Sequence, residues 1–260
     1  MMAQLRARDP LLFWAGALMA AGLAVCLVAA LFDTRLVLGV NPWIKPIKFL
    51  TSITIFLWSA AWFMADARPL PRARTFVRWT FALAMVTEIA LIVLQAGRGT
   101  TSHFNIGTPL DGAIFGVMGL MITVNTVAAM VLLWLLWGPV PSDRAGYLWG
   151  ARLGVAVFIL ASLQGWLIVG NMAHTVPGPD GGPGLPLVNW STERGDLRVA
   201  HFFGMHALQA LPLLGFVLDR GTTVSVAARR SIVLSAMVVW VVVMAVLLTM
   251  ALQGRPLLAL

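Results

Sequence analysis

The residues able to do chemistry in this chain are few, and they sit in telling places. The four histidines are His103, His174, His201 and His206. The last two lie five apart in the segment Gly195-Asp196-Leu197-Arg198-Val199-Ala200-His201-Phe202-Phe203-Gly204-Met205-His206, where a charged loop turns into an apolar run. Ionisable groups are expensive inside a bilayer, so two histidines carried across such a boundary point to a site. Glu88 interrupts another apolar run ten residues before Arg98, and Gln95 follows it two helical turns on, along the same face. Arginine outnumbers lysine 16 to 2, so Lys45 and Lys48 mark places where an ammonium was kept in a chain that otherwise uses guanidinium.

Three chemistries want these residues. The leading expectation is a haem or transition-metal site doing redox work, because neutral imidazole is a common ligand and facing helices can hold haem between histidines. His201, His206 and His103 are the candidate metal ligands, and with His174 they make the candidate haem-binding set. The helical spacing tempers this. Residues five apart are separated by about 140° around a helix, so His201 and His206 do not aim at one small ion. They could instead face different partners, for example His206 inward and His201 towards His103 or His174. No Cys-x-x-Cys-His sequence is present, so any haem would be held without covalent links.

The alternative is a non-enzymatic binder or proton-coupled carrier of an anionic or quinone-like ligand. Lys48, Gln95, Arg98 and Arg198 would bind the ligand, and Glu88 would exchange the proton. A third reading is a metal-dependent hydrolase, with three histidines and a water, and Glu88 or Asp196 as base. In number of spans, and in its histidines and acids gathered on one side, the chain resembles ceramidase-like membrane hydrolases, and no residue roles carry over from that outline. A rhodopsin is excluded, because the last apolar run has no lysine for a retinal Schiff base. Each residue also has a plainer role. Asn125, Gln164 and Gln209 suit hydrogen bonds between helices. Lys45 and Lys48 can snorkel to headgroups. Arg98, Arg194 and Arg198 can meet lipid phosphates or pair with Glu193 and Asp196.

The elements that must position these residues are membrane spans. The chain has 260 residues, 60% hydrophobic and 11% charged, with mean hydropathy +0.88, and its apolar residues fall in runs longer than a soluble core needs. A single cysteine, Cys26, excludes a disulfide framework and a cysteine-built zinc site, and it reads as buried in the first span. The net charge of +8 lacks the basic and aromatic interleaving of a nucleic-acid face, so lipid rather than nucleic acid is the expected partner. Seven spans follow, at about Leu11–Leu31, Ile44–Ala65, Trp79–Ala96, Gly112–Trp137, Leu153–Met172, Val199–Leu218 and Ser231–Leu252. The first begins like a signal peptide, but its 21 apolar residues are long enough to span.

The sequence therefore predicts an all-α integral membrane protein, residues 1–260 forming one seven-helix transmembrane domain. Arginine and lysine counts set its orientation. Eleven fall at the N-terminus and on the connections of the same side, and seven on the other, which puts the N-terminus in the cytoplasm and the C-terminus outside. A bacterial inner membrane fits this pattern. Longer outer loops are expected at about 98–110 and 173–198, the second with a Pro177–Gly184 turn-rich core. Thr108-Pro109-Leu110-Asp111 and Asp196 read as helix caps. Under this topology all four histidines, Lys48 and Arg98 gather on the outer side, in a polar funnel with Glu88 deepest.

Overall fold

The computed structural model describes residues 1–221 and 224–259. Among these the chain forms eight helices: α1 (Met2–Arg8), α2 (Pro10–Phe32), α3 (Ile44–Met64), α4 (Pro71–Arg98), α5 (Pro109–Leu136), α6 (Ala145–Asn171), α7 (Leu197–Arg220) and α8 (Val226–Leu252). Seven of them, α2 to α8, are long and apolar enough to cross a membrane. The protein is thus an all-α multi-pass membrane protein, as its hydropathy requires. A two-residue antiparallel ladder, β1 (Thr175–Val176) with β2 (Gly195–Asp196), ties the ends of the α6–α7 connection. Valines 238, 239, 242 and 246 of α8 and Trp14, Leu18 and Val25 of α2 are exposed, a surface suited to acyl chains.

Several helices start earlier than their apolar runs. α4 starts at Pro71 rather than Trp79, α6 at Ala145 rather than Leu153, and α8 at Val226 rather than Ser231. Hydropathy marks only the apolar stretch, whereas backbone hydrogen bonding continues through the basic turns that carry Arg72, Arg74, Arg78, Arg152, Arg229 and Arg230. Caps mark the true starts. Ser225 accepts from the amide of Ala228, and Asp9 accepts from the amide of Leu12 with Pro10 at the first helical position.

The contacts of the chain cluster into two compact units. The first comprises Met1–Ala65, Pro71–Ala128 and Pro186–Val188; the second comprises Asp66–Leu70, Ala129–Leu185 and Asn189–Leu260. In the first, α2 packs on α3 and α3 on α4. Gly16 leaves room for the Trp58 ring, whose Nε1–H donates to the carbonyl of Phe13 at 3.2 Å. Asn41 pins the α2–α3 turn. Its Nδ2 donates to the carbonyls of Asp33 (2.6 Å) and Ala30 (3.2 Å), and its Oδ1 accepts from the amide of Trp43 (3.0 Å). That turn fixes where α3 begins and so places Lys45 in its first turn.

In the second unit α6 and α7 approach backbone to backbone. Gly146, Gly150 and Gly154 fall four apart on α6. A Cβ on Gly146 would meet the carbonyl oxygen of Gly215 at 2.5 Å, one on Gly154 that of Ala207 at 2.7 Å, and one on Gly150 would strike Leu211. Such small-residue stripes let membrane helices gain van der Waals contact where there is no hydrophobic drive to associate. α8 packs alongside through Phe203 and Trp240, stacked at 4.4 Å, with the indole N–H donating to the Phe203 carbonyl.

Candidate functional site

In the first unit α3, α4 and the loop after α4 bring an ammonium, an imidazole and a carboxylic acid together. α4 stops at Arg98 because Gly99 adopts a left-handed conformation (φ +70°), letting the amides of Gly99 and Thr100 return to the carbonyls of Ala96 and Gln95. The chain then turns back along the helix. His103 Nε2 comes to 3.8 Å from Glu88 Oε1, an ion-pair distance and too long for a direct hydrogen bond. Lys45 Nζ lies 3.0 Å from His103 Nδ1. An ammonium can only donate, so Nδ1 accepts and the imidazole proton resides on Nε2, the atom facing Glu88.

Three features set this cluster apart. Glu88 is 2% exposed and its Oε2 has no hydrogen-bond partner among the described residues, a rare condition for a buried carboxyl oxygen. Lys45 occupies the first turn of α3, where the helix dipole disfavours a cation, so its position calls for compensation. Phe104, next to His103, sits at φ +58°, a strained conformation for a bulky residue. The rings of Phe49, Phe104 and Phe115 lie 6.0 to 6.2 Å from the His103 ring, centroid to centroid.

Further along α4 the polar residues close on one another. The Asp111 carboxylate receives Gln95 Nε2 (2.8 Å), Arg98 Nη1 (2.5 Å) and the Thr108 hydroxyl (2.7 Å), and Arg98 also donates to Gln95 Oε1. The amide of Asp111 donates back to Thr108 Oγ1 at 3.1 Å, completing the expected cap of α5. Lys48 Nζ donates to the carbonyl of Val188 at 3.0 Å. Of the ligand-binding residues expected from the sequence, Gln95 and Arg98 are therefore engaged in joining α4 to the start of α5.

The second unit holds the other three histidines, each with Nδ1 on an oxygen of that unit. His201 Nδ1 lies 2.8 Å from the carbonyl of Ala161 on α6, and the ring rests against Gly165. His206 Nδ1 lies 2.7 Å from the carbonyl of Phe202 on its own helix, with its ring against the Phe202 ring at 4.0 Å. A carbonyl can only accept, so both imidazoles carry their proton on Nδ1. They face different partners, as their 140° separation implies. His174 Nδ1 lies 2.5 Å from Asp180 Oδ2, while Asp180 Oδ1 receives the amides of His174 (2.8 Å) and Thr175 (3.1 Å). Burial alone would push the Asp180 carboxyl up; the His174 bond and the two amides outweigh it and hold that carboxyl well below the usual range. Asp196 caps α7 through the amide of Arg198 (3.0 Å) and takes Arg198 Nε (2.9 Å), and Arg198 Nη2 also donates to the Asn189 carbonyl.

Among the described residues no three of histidine, cysteine, aspartate and glutamate gather as a metal-ligating group. The expected set of His103, His201 and His206 is thus not drawn into one cluster. One participant, Asp180, is not singled out in the sequence, and Lys45 is singled out there without its partners. The role of Lys45 needed the fold-back of the 99–108 loop, and Asp180 lay hidden in a glycine-proline tract that reads as featureless. The signal for Lys45 was present in the cation at a helix start. No protein-family model, no curated protein and no solved structure matches this chain.

Proposed function

We propose that this membrane protein reversibly binds a quinone-like head group at the Lys45–His103–Glu88 cluster, with Glu88 as the proton-exchanging group. One observation carries the reading: a buried acid with an unpartnered oxygen faces an imidazole N–H whose other nitrogen is held by an ammonium. Nε2–H is a donor suited to a ligand carbonyl, and the surrounding phenylalanines suit a flat ring. A simple anion is favoured less, because Arg98 and Lys48 are already engaged. By the arginine count the cluster opens to the outer side of an inner membrane, with the N-terminus in the cytoplasm.

The test uses purified protein and a short-chain benzoquinone. Saturable binding, followed by tryptophan quenching and weakened about tenfold or more in Glu88→Gln and in Lys45→Gln, is the expected result. Undiminished binding in both variants overturns the proposal.

A haem or metal redox site keeps one specific support. The Nδ1–H tautomer of His201 and His206, fixed by backbone carbonyls, is the one in which Nε2 is left as a ligating atom. An absorption spectrum and metal analysis test it. A Soret band or stoichiometric metal, lost in His201→Ala or His206→Ala, would establish that reading; neither signal would remove it.

A further inference from the structure

The second unit carries an arginine–tryptophan lattice at the end of α5 and the start of α6 that the cluster above does not use. Where α5 ends, its last carbonyls need donors. Leu135 O accepts from the amide of Arg68 at 2.8 Å, Leu136 O from Arg152 Nε at 2.9 Å, and Gly138 O from Arg152 Nη2 at 2.5 Å. Arg152 is 4% exposed and lies 5.3 Å from the ring centroids of both Trp137 and Trp149. It is consumed by structure: it complements the negative end of α5 and braces the two indoles.

Two other arginines complete the lattice and are not consumed in this way. Arg230 Cζ lies 4.4 Å above the Trp149 ring, and Arg68 Cζ lies 4.7 Å above the Trp134 ring. They belong to one patch, because the Arg68 stem also borders Gly138, whose carbonyl Arg152 holds. The nearby carboxylates are taken. Asp66 receives Arg144 and the Tyr147 hydroxyl, and Asp219 receives the first amides of α6 and Arg229. Asp143 stands on an exposed turn and pairs with neither arginine among the described residues.

A guanidinium stacked on an indole presents its face to the ring, and its N–H donors, which lie in its own plane, stay available. Trp134 and Trp137 are half-exposed, at 50% and 55%, as befits rings at headgroup depth. We infer that this patch is a binding site for an anionic phospholipid, with Arg68 and Arg230 donating to the headgroup phosphate and Trp134 and Trp137 lying along the glycerol and upper acyl region. The charge fits an anionic lipid rather than a zwitterionic one, because two cations with no carboxylate partner among the described residues face a ligand that then needs net negative charge.

The test compares phosphatidylglycerol with phosphatidylcholine of the same chains, added to the detergent-purified full chain. Lipid retention by native mass spectrometry and the shift in Tm are the two readouts. Phosphatidylglycerol should be retained and raise Tm, and phosphatidylcholine should do neither. Each basic group near an anionic surface contributes on the order of a fivefold factor, so Arg68→Gln with Arg230→Gln should weaken phosphatidylglycerol binding roughly twenty-five-fold. Arg194→Gln, in the α6–α7 connection, should leave it unchanged. The single Arg230→Gln variant, at an exposed position, guards against misfolding of the double variant and should lose about fivefold. Equal binding of the two lipids, an unchanged affinity in Arg230→Gln, or reproduction of the Tm rise by inorganic phosphate alone would each overturn the assignment. Benzoquinone binding has no part in this outcome.

Discussion

The two units treat the same side chain in opposite ways. In the first, both nitrogens of His103 face titratable side chains, Lys45 on one edge and Glu88 on the other, and the acid keeps an oxygen unpartnered. In the second, His201 and His206 each spend Nδ1 on a backbone carbonyl, and His174 leans on an aspartate that two backbone amides already hold. A histidine fastened to the backbone stiffens a fold. A histidine between two ionisable groups can move a proton. The difference teaches that in this chain residue type selects candidates, and the partners of each nitrogen distinguish one candidate from another.

The largest effects should come from the close-packed side of that comparison. Gly150→Leu would drive a side chain into the backbone of α7, and we expect no folded protein on size-exclusion chromatography; Gly150→Ala should cost about 1–3 kcal/mol, read as a lowered Tm. A well-folded Gly150→Leu protein would break the view of α6 and α7 as a rigid, backbone-to-backbone pair.

Next comes Glu88→Gln, which keeps the size of the side chain and removes an acid that is 2% exposed. Benzoquinone binding should fall about tenfold or more while Tm stays level or rises, because an incompletely paired buried acid is a stability burden. A large fall in Tm with binding intact would make Glu88 architectural and erase the contrast.

A smaller, reciprocal effect should separate the histidines. His201→Ala removes a bond between α6 and α7 and should lower stability by about 1–2 kcal/mol with quinone binding unchanged, whereas His103→Ala should do the reverse. The gentlest effect concerns the α6–α7 connection. The Asp180 carboxyl is held below its ordinary range, so the stability it lends is fully present above the unfolded aspartate value of about 3.9 and is lost as pH falls below that toward the depressed folded value. Hydrogen exchange at the Thr175 amide should accelerate over that acidic range, and Asp180→Asn should flatten the response.

Much of the fold was legible because its signals are local. Apolar runs long enough to span locate seven helices, Thr108 with Asp111 and the lone Asp196 announce caps, and a five-residue spacing separates His201 from His206 by arithmetic alone. Helix starts were less legible, since arginine-bearing turns continue a helix without adding hydropathy. The glycines at 146, 150 and 154 went unremarked in the sequence, and only the carbonyls of α7 reveal what their four-residue spacing accommodates.

By itself, then, the sequence determined the all-α membrane class, the approximate spans and the short list of candidates: Glu88, Lys48, Gln95, Arg98, Arg198 and the four histidines. These follow from composition and period, which act over a few residues. Which candidates meet was decided by tertiary structure alone. The left-handed Gly99 folds His103 back along α4 to Glu88, the Asn41 turn sets Lys45 beside it, and Arg98 is drawn to Asp111. Each of these contacts joins residues separated by a turn or a loop, and a pairing across a loop depends on where the loop folds, which no local pattern encodes.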